Sequence, residues 1–292
     1  MDFRALSLGL TFAVLWSSAF TAARVAVQDA PPFLILSVRF LIAGLLAVGV
    51  AWAIGQRAKL NRAQWLSIIL FGVFQNAIYL GMNFMAMQRI EAGLAAIIAS
   101  MLPISVAAVS WVLFREKLGW LGVVGMGAGL VGVLIIMMAR LQGGVDIVGI
   151  ILCFIGLAAL TAATLLMRTT KSTGNILMVV GLQMLAGSAV LFPVSLFFET
   201  WQVNPTLNLG IAFAYMIFFP GLIATIIWFA LVNQIGATRA ATFHFLNPFL
   251  GVLVAAVLLN ETVSLRDGLG VLIISAGILA VQLSRRARRK LT

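Results

Sequence analysis

Ten runs of about twenty mostly apolar residues follow one another along the chain, and each is long enough to cross a bilayer as a helix. The runs cover residues 5–27, 33–54, 65–87, 93–114, 119–139, 146–167, 176–198, 208–231, 238–259 and 266–284. The connections are a few residues each and leave no room for a soluble domain. A membrane barrel would instead show short stretches in which apolar and polar residues alternate. The pattern predicts one compact, all-α integral membrane domain with ten transmembrane helices.

The composition agrees with a chain that uses the bilayer as its solvent. Of the 292 residues, 63% are hydrophobic and 9% are charged, against about 25% charged residues in an ordinary soluble domain. The first apolar run has a second interpretation as a signal peptide, but it is longer than the roughly 7–15 apolar residues of such a segment. The one cysteine, Cys153, lies in mid-span, where we expect a small core residue without a disulfide.

The chain aligns with itself after a shift of 145 residues. The matching pairs are Ile90 with Ile235, Ala92 with Ala237, Ala95 with Ala240, Pro103 with Pro248, Glu116 with Glu261, Gly125 with Gly270 and Gly132 with Gly277. Each copy holds five spans, so the second copy enters the membrane from the opposite side. The sequence therefore predicts a five-plus-five inverted-topology repeat around a central cavity, an architecture typical of transporters. Residues 1–140 form the first repeat, and residues 141–292 form the second repeat with a basic cytoplasmic tail.

The distribution of charge sets the expected orientation. With both termini cytoplasmic, most of the 19 basic residues lie on the cytoplasmic side, including the tail RRARRK at 285–290. The positive-inside rule accepts this topology and rejects its inverse. The tail is a topology anchor or a grip on anionic lipid. The net charge of +11 is therefore a membrane-orientation signal, and we expect no nucleic acid partner.

The third span carries four hydrogen-bonding side chains, Gln75, Asn76, Tyr79 and Asn83, in a long apolar run. At about 100° per residue they share an arc of roughly 100°. A polar stripe cannot face lipid without leaving amides unsatisfied. It either lines a wet cavity or holds helices together by hydrogen bonds. Four polar residues along three turns favour the cavity.

Other spans add candidates for the same cavity. The first span has a polar and an aromatic face, the eighth aligns with the third and carries a proline, and the ninth carries the only histidine. The candidate substrate-binding residues are Trp16, Ser17, Phe20, Gln75, Asn76, Tyr79, Asn83, Tyr215, Thr225, Trp228, His244 and Asn247. The candidate gating kinks are Pro103, Pro220 and Pro248, unless these prolines are static kinks. His244 contacts substrate or handles protons, or else makes a structural hydrogen bond to a carbonyl.

The fifth span presents a glycine face that lets another helix approach closely. Its residues are Gly122, Gly125, Gly129 and Gly132. We expect this face to pack within the monomer against Gly270 and Gly277 of the tenth span. Dimerisation through the face is the alternative.

Charged residues are expected to be missing from the middle of the membrane. All eight acidic residues lie at or near span ends, so no carboxylate is left to couple transport to protons or sodium. The basic residues that come closest, Arg24 and Arg39, lie near the outer ends of their spans, which disfavours strongly anionic substrates. The passenger is therefore net neutral, with an apolar body that stacks on Trp16, Tyr79 and Trp228. A neutral amino acid and an amphiphilic drug both fit this description.

Catalysis has no support in the sequence. There is no zinc motif, phosphate-binding loop or evident nucleophile–histidine–acid set. We therefore expect no enzyme activity, no metal and no cofactor.

Several stretches carry a resemblance to a known family. WSSAF in the first span, MQRIEAGLAAIIASMLPISVAAVSWVLFREKLG and its copy NQIGATRAATFHFLNPFLGVLVAAVLLNETVS resemble the ten-helix branch of the drug/metabolite transporter superfamily, the EamA-domain proteins. The resemblance covers essentially the whole chain. It implies tandem halves around a central cavity and export of metabolites through a bacterial inner membrane. It also implies that Glu116 and Glu261 hold the tight turn after the fourth helix of each repeat.

Within that family the chain is most similar to the exporters of amino acids, including aromatic ones. We therefore expect an inner-membrane, monomeric exporter of neutral, aromatic or apolar amino acids, working by alternating access and by facilitated, uncoupled efflux. One alternative is a proton-coupled multidrug or dye extruder. Another is a membrane sensor or assembly protein that transports nothing.

Overall fold

The structure is a computed structural model that describes residues 3–57, 60–115, 119–142, 144–166, 175–235 and 241–289. Within these ranges every regular element is a helix. The helices are α1 (Phe3–Asp29), α2 (Pro32–Ala53), α3 (Arg62–Ala86), α4 (Ala92–Leu113), α5 (Trp120–Gln142), α6 (Ile147–Leu166), α7 (Ile176–Phe198), α8 (207–235), α9 (241–259) and α10 (Leu265–Arg289). The predicted all-helical class is confirmed.

Nine of these helices are long and apolar enough to cross a membrane, judged over the residues described. They correspond to the predicted spans other than the ninth. In the ninth, the described apolar helix runs only from Phe243 to Leu259, because residues 236–240 lie outside the described ranges. The count of ten membrane crossings therefore stays a prediction.

The backbone leaves α-helical geometry at matching places in α3 and α8. Residues Gly72–Tyr79 of α3 and Ile217–Ile223 of α8 form π-helical segments, and their first residues are 145 positions apart, as in the predicted repeat. Pro220 lies inside the second segment, so its missing N–H is accommodated by a π-helix and not by a simple kink. Such segments occur frequently at functional sites.

The prolines of α4 and α9 also occupy matching positions, but not as kinks in continuous helices. Helix α4 is interrupted at Met101, and Pro103 lies in the first turn of the segment that follows. In α9 a 3₁₀ segment ends at Leu246, and Pro248 lies in the first turn of the α-helical segment. Proline is tolerated there because the first N–H groups of a helix have no intrahelical partner.

The helices divide into two compact units. Unit 1 comprises the described parts of Met1–Thr21, Arg89–Ile150 and Ile223–Thr292, and unit 2 comprises those of Ala22–Gln88 and Ile151–Leu222. Each unit combines helices from both predicted repeats. The repeat boundary near residue 140 therefore stays a prediction about sequence and topology, separate from this division by contacts.

In unit 1, α5 and α10 cross at paired glycines. A Cβ atom on Gly125 would lie 2.7 Å from the carbonyl oxygen of Gly277, and one on Gly132 would lie 2.8 Å from that of Gly270. The contacts are reciprocal. A Cβ atom on Gly277 would lie 2.6 Å from the carbonyl oxygen of Gly125, and one on Gly270 would lie 2.9 Å from that of Gly132. Any side chain here would collide with backbone. The prediction that the glycine face of the fifth span packs on the tenth span within the chain is confirmed.

The start of α4 in unit 1 is capped by Glu261, a residue far away in sequence. Its carboxylate accepts hydrogen bonds from the backbone N–H groups of Ala92 at 2.7 Å and Gly93 at 2.9 Å. A negative charge is favourable there because it satisfies orphan donors and complements the helix dipole. The turn into α10 is held by Asp267, which accepts from the N–H of Ser264 at 2.9 Å and from its hydroxyl at 2.8 Å.

Glu261 therefore has a structural role, as the resemblance implied, but it caps the distant helix α4, which the resemblance did not predict. That it also holds the turn into the next helix stays a prediction. Its repeat partner, Glu116, lies outside the described residues.

Unit 2 is held together by the same two kinds of contact, a close helix approach at glycines and a carboxylate that caps a distant helix. Helices α2 and α7 approach closely at small residues, since a Cβ atom on Gly181 would lie 3.0 Å from the carbonyl oxygen of Gly44. Glu199, which follows α7, caps the start of α2 by accepting from the N–H groups of Phe33 at 2.8 Å and Leu34 at 2.9 Å. These contacts hold α2 against α7, and α7 also packs along α3, which carries the polar residues described below.

Candidate functional site

Three aromatic rings and the only histidine of the chain come together in unit 1. Phe12 lies at the centre, with its ring centroid 5.7 Å from that of Trp16, 4.8 Å from Trp228 and 5.3 Å from His244. The His244 ring also lies 6.2 Å from Trp16 and 5.2 Å from Trp228, in edge-on arrangements. Phe12 is buried, whereas the other three rings are partly exposed. We call these four residues the aromatic cluster.

A chain of polar contacts fixes the imidazole of His244. The Nδ2 atom of Asn247 lies 2.9 Å from Nδ1 of His244, and the hydroxyl of Ser17 lies 3.5 Å from both the side-chain and the backbone oxygen of Asn247. Either the amide N–H of Asn247 donates to Nδ1 of His244, or Nδ1 donates to the amide oxygen, depending on the ring tautomer.

This arrangement leaves one ring nitrogen of His244 for a ligand. Within the part of the chain that the structure describes, Nε2 of His244 has no hydrogen-bond partner. Whether His244 contacts substrate, handles protons or has a purely structural role stays a prediction. The site can therefore stack an apolar body on its rings and form one hydrogen bond through Nε2 of His244.

The aromatic cluster packs against three buried apolar residues, which we call the floor. Ala5, Leu231 and Phe243 are buried together, and Trp228 packs against them. A Cβ atom on Gly9 would collide with the Phe243 ring. The floor restrains Trp228, and a restrained ring binds with a smaller entropic cost than a mobile one.

Two predicted residues of unit 1 lie outside this constellation. Phe20 is 8% exposed and makes none of the described ring contacts. Thr225 is half-buried and bonded to neighbours. Sequence reasoning missed Phe12, since a phenylalanine in a membrane span gives no signal that separates a binding ring from a lipid-facing one.

The polar stripe of the third span lies in unit 2, and its members have different surroundings. Asn76 is 5% exposed and donates to the backbone oxygen of Gln183 in α7 at 2.9 Å. This is the helix-bridging role that was the alternative to a cavity. Asn83, 1% exposed, donates to the backbone oxygen of Tyr79 at 2.8 Å, which satisfies a carbonyl at the end of the π-helical segment. Gln75 is half-buried.

The π-helical segment explains why the four side chains do not form one stripe. The arc of about 100° assumed 3.6 residues per turn, and a π-helix has more. Asn76 therefore faces α7, whereas Tyr79 and Asn83 face α6, where a Cβ atom on Gly156 would lie 3.1 Å from the Tyr79 oxygen. The Oδ1 atom of Asn83 is buried without a hydrogen-bond partner among the described residues.

The remaining aromatic candidate of unit 2 is Tyr215. Its ring stacks on Phe219 with centroids 4.9 Å apart and an interplanar angle of 15°. The predicted binding residues thus fall into two sets. Unit 1 holds Trp16, Ser17, Phe20, Thr225, Trp228, His244 and Asn247, and unit 2 holds Gln75, Asn76, Tyr79, Asn83 and Tyr215. That both sets face one central cavity stays a prediction.

The arginine predicted near the outer end of the second span is buried in the protein, and its depth in the membrane stays a prediction. Arg39 is 7% exposed and lies seven residues after Pro32, about 10 Å along the helix at 1.5 Å per residue. Arg24, by contrast, donates to the backbone oxygen of Met87. Helical periodicity could have found the buried position, because Arg39 lies on the same face as Leu36 and Ala43, which are also buried.

The carboxylates with described contacts lie at helix ends, as predicted. Asp146, before α6, forms an ion pair with Arg89 at 2.9 Å and accepts from the N–H of Val148 at 2.7 Å. The hydrogen bond from Arg89, followed by that from the Gly149 backbone, holds the pKa of Asp146 below its usual value.

Comparison with known proteins decides the family. The model of the EamA-like transporter family matches residues 3–138 and again 147–283, which together cover most of the chain. The chain belongs to the EamA-like transporter family. The resemblance found in the sequence is confirmed at this level.

Relatives across the whole length are transporters by description. The inner membrane transporter YedA of Escherichia coli K12, described as uncharacterized, is 28% identical over 98% of this chain and 94% of its own. The uncharacterized transporter YvbV of Bacillus subtilis is 24% identical over 94% of this chain and 90% of its own. A solved crystal structure superimposes with a TM-score of 0.69 at 22% identity, over 98% of this chain and 99% of the other. The protein is therefore a multi-pass membrane protein of a transporter family.

Proposed function

We propose that this EamA-family protein exports neutral amino acids with aromatic or apolar side chains, or related metabolites, through a bacterial inner membrane by alternating access. The observation that carries the proposal is the aromatic cluster with His244 among its rings. Partly exposed rings supply a surface for an apolar body, and Nε2 of His244, when it carries the ring proton, supplies a donor for a carboxylate or carbonyl oxygen.

The backbone supports a mechanism with two inverted halves. The reciprocal contacts pair Gly125 with Gly277 and Gly132 with Gly270, so α5 and α10 run in opposite directions where they cross. These are the residues that the repeat aligns, with the partners exchanged. Together with the matching π-helical segments in α3 and α8, this favours an inverted repeat that surrounds a central site. The charge distribution favours cytoplasmic termini.

The carboxylates support facilitated efflux without ion coupling. Glu199 and Glu261 are engaged as helix caps, and Asp146 is engaged by Arg89. A carboxylate held this way is a poor proton carrier for a transport cycle. His244 is the observation that favours the second candidate, a proton-coupled extruder of drugs or dyes, because a titratable ring lies in the cluster itself.

Flux into proteoliposomes tests the proposal. We expect purified protein to take up radiolabelled phenylalanine by counterflow above empty liposomes, without a substrate-driven pH change in the lumen. Trp228→Ala and His244→Gln should weaken uptake roughly tenfold, since each removes one contact worth about 1–1.5 kcal/mol. Trp52→Ala is the matched control, because Trp52 is 66% exposed on α2 and should leave uptake unchanged.

Each other outcome has a defined meaning. A lumen pH change driven by substrate would replace uncoupled efflux with proton coupling. Transport of cationic dyes that amino acids do not inhibit would favour the drug extruder. Flux equal to that of empty liposomes for every substrate would favour a sensor or assembly protein.

A further inference from the structure

Helix α2 carries a guanidinium group for which the described residues provide no hydrogen-bond or ion-pair partner. Arg39 is 7% exposed, and its Nε atom is enclosed without any hydrogen bond. Among the described residues no carboxylate, carbonyl or hydroxyl lies on its terminal nitrogens either. Its one described contact is the ring of Phe40, whose centroid lies 5.1 Å from the guanidinium carbon. A charge this deeply buried is retained only where a counter-charge compensates for it.

Unit 2 contains no spare anion for this role. Its ranges, 22–88 and 151–222, hold two acidic residues, Asp29 and Glu199. Glu199 accepts from the N–H groups that start α2, and Asp29 accepts from the hydroxyl of Thr206 at 2.5 Å. Neither carboxylate of unit 2 is therefore free to supply the counter-charge of Arg39.

We propose that Arg39 binds the carboxylate of the transported molecule. A guanidinium presents forked N–H donors that match the two oxygens of a carboxylate, and a point-charge ammonium does not. The proposal rests on the proposed function and narrows its substrate class. A zwitterionic amino acid is net neutral and still carries a carboxylate, whereas a cationic drug or dye would be repelled.

A second unmatched group in unit 2 fits the same substrate class. Oδ1 of Asn83 is a buried acceptor without a described partner, on a part of α3 that packs along α2. An α-ammonium group supplies donors for such an oxygen. Unit 2 thus holds one unmatched cationic donor and one unmatched acceptor, the two kinds of group that bind the charged ends of a zwitterion. The aromatic cluster belongs to unit 1, and the proposal requires only that the substrate meets each set during the transport cycle.

Binding to the purified, full-length protein tests the assignment independently of transport. The dissociation constants of phenylalanine, 3-phenylpropionate and phenethylamine are measured through ligand-induced thermal stabilisation. In the unsubstituted protein, we expect phenylalanine and 3-phenylpropionate to bind at least tenfold more tightly than phenethylamine, which lacks the carboxylate. Arg39→Gln should raise the dissociation constant of both carboxylates roughly 10- to 100-fold and leave phenethylamine unchanged. Arg39→Lys should recover part of the loss.

Arg62→Gln is the matched control, because Arg62 is an exposed arginine of the same unit and should change none of the three constants. Equal binding of phenethylamine and phenylalanine to the unsubstituted protein would overturn the assignment even if Arg39→Gln failed to fold. Unchanged phenylalanine binding by folded Arg39→Gln would also overturn it. If phosphatidylglycerol stabilises the parent protein but not Arg39→Gln while phenylalanine binding is unaltered, the partner is a lipid phosphate and the assignment is wrong.

Flux separates this inference from the proposed function. Carboxylate-selective binding without flux would leave the Arg39 site standing and remove the transporter proposal. Equal flux of phenylalanine and phenethylamine would leave transport standing and remove the Arg39 site.

Discussion

The cap that Glu261 places on α4 gives a quantitative prediction. Its two oxygens receive two backbone N–H groups, at 2.7 and 2.9 Å, and hydrogen bonds to a charged group contribute about 1.5–3 kcal/mol each. Glu261→Gln keeps one acceptor, turns the other into an NH₂ group that faces an N–H donor, and removes the charge from the helix start. Since the site is partly exposed, we expect a loss near the lower end, about 2–3 kcal/mol.

The only cysteine provides the assay. Cys153 is 1% exposed, so a thiol-reactive fluorogenic dye reports unfolding of the detergent-solubilised protein. At roughly 2–4 °C per kcal/mol, Glu261→Gln should lower the thermal midpoint by about 5–10 °C. Glu199→Gln, which weakens the equivalent cap on α2, should do the same. Asp146→Asn is the control, because asparagine remains a good N-cap and the exposed ion pair contributes little.

A midpoint of Glu261→Gln equal to that of the parent would refute the reasoning. It would mean that water or another residue satisfies the start of α4 equally well. A fall of the same size for Asp146→Asn would show that any lost carboxylate lowers the midpoint, and that the cap is not the cause.

Three further predictions follow from the packing and the charges. Gly125→Ala should lower the thermal midpoint strongly, because its Cβ would meet backbone at 2.7 Å, whereas Gly127→Ala should not, because nothing lies within 4 Å of a Cβ there. Asn76→Ala should cost about 0.5–1.5 kcal/mol of stability, through the lost hydrogen bond to α7, without changing the phenylalanine dissociation constant. The lowered pKa of Asp146 means that its pair with Arg89 stabilises the fold above about pH 4 and is lost as the pH falls further. The small difference in midpoint that the ion pair gives between parent and Asp146→Asn should therefore vanish in acid.

The spans and the α5–α10 contact were predictable because each depends on a strong local pattern. Apolar runs of about twenty residues have few solutions other than a membrane helix. The spacing of Gly125 and Gly132 puts both on one helix face, and the repeat named Gly270 and Gly277 as their counterparts. The sequence therefore contained both sides of the contact.

The surroundings of the polar residues were not predictable from helical angles. Those angles assume regular α-helix, and the π-helical segment Gly72–Tyr79 turns Asn76 away from Tyr79 and Asn83. The cap by Glu261 joins residues 169 positions apart, which no local pattern encodes. Arg39 was placed near a span end by counting along the chain, but its burial depends on the helices that cover that part of α2.

Uptake of each of the twenty amino acids by proteoliposomes tests the central claim most directly, with empty liposomes as the reference. We predict uptake of phenylalanine and other neutral amino acids with aromatic or apolar side chains, and little uptake of aspartate, glutamate, lysine or arginine. Uptake confined to the charged amino acids, or no uptake of any of the twenty, would contradict the claim that this protein transports neutral amino acids.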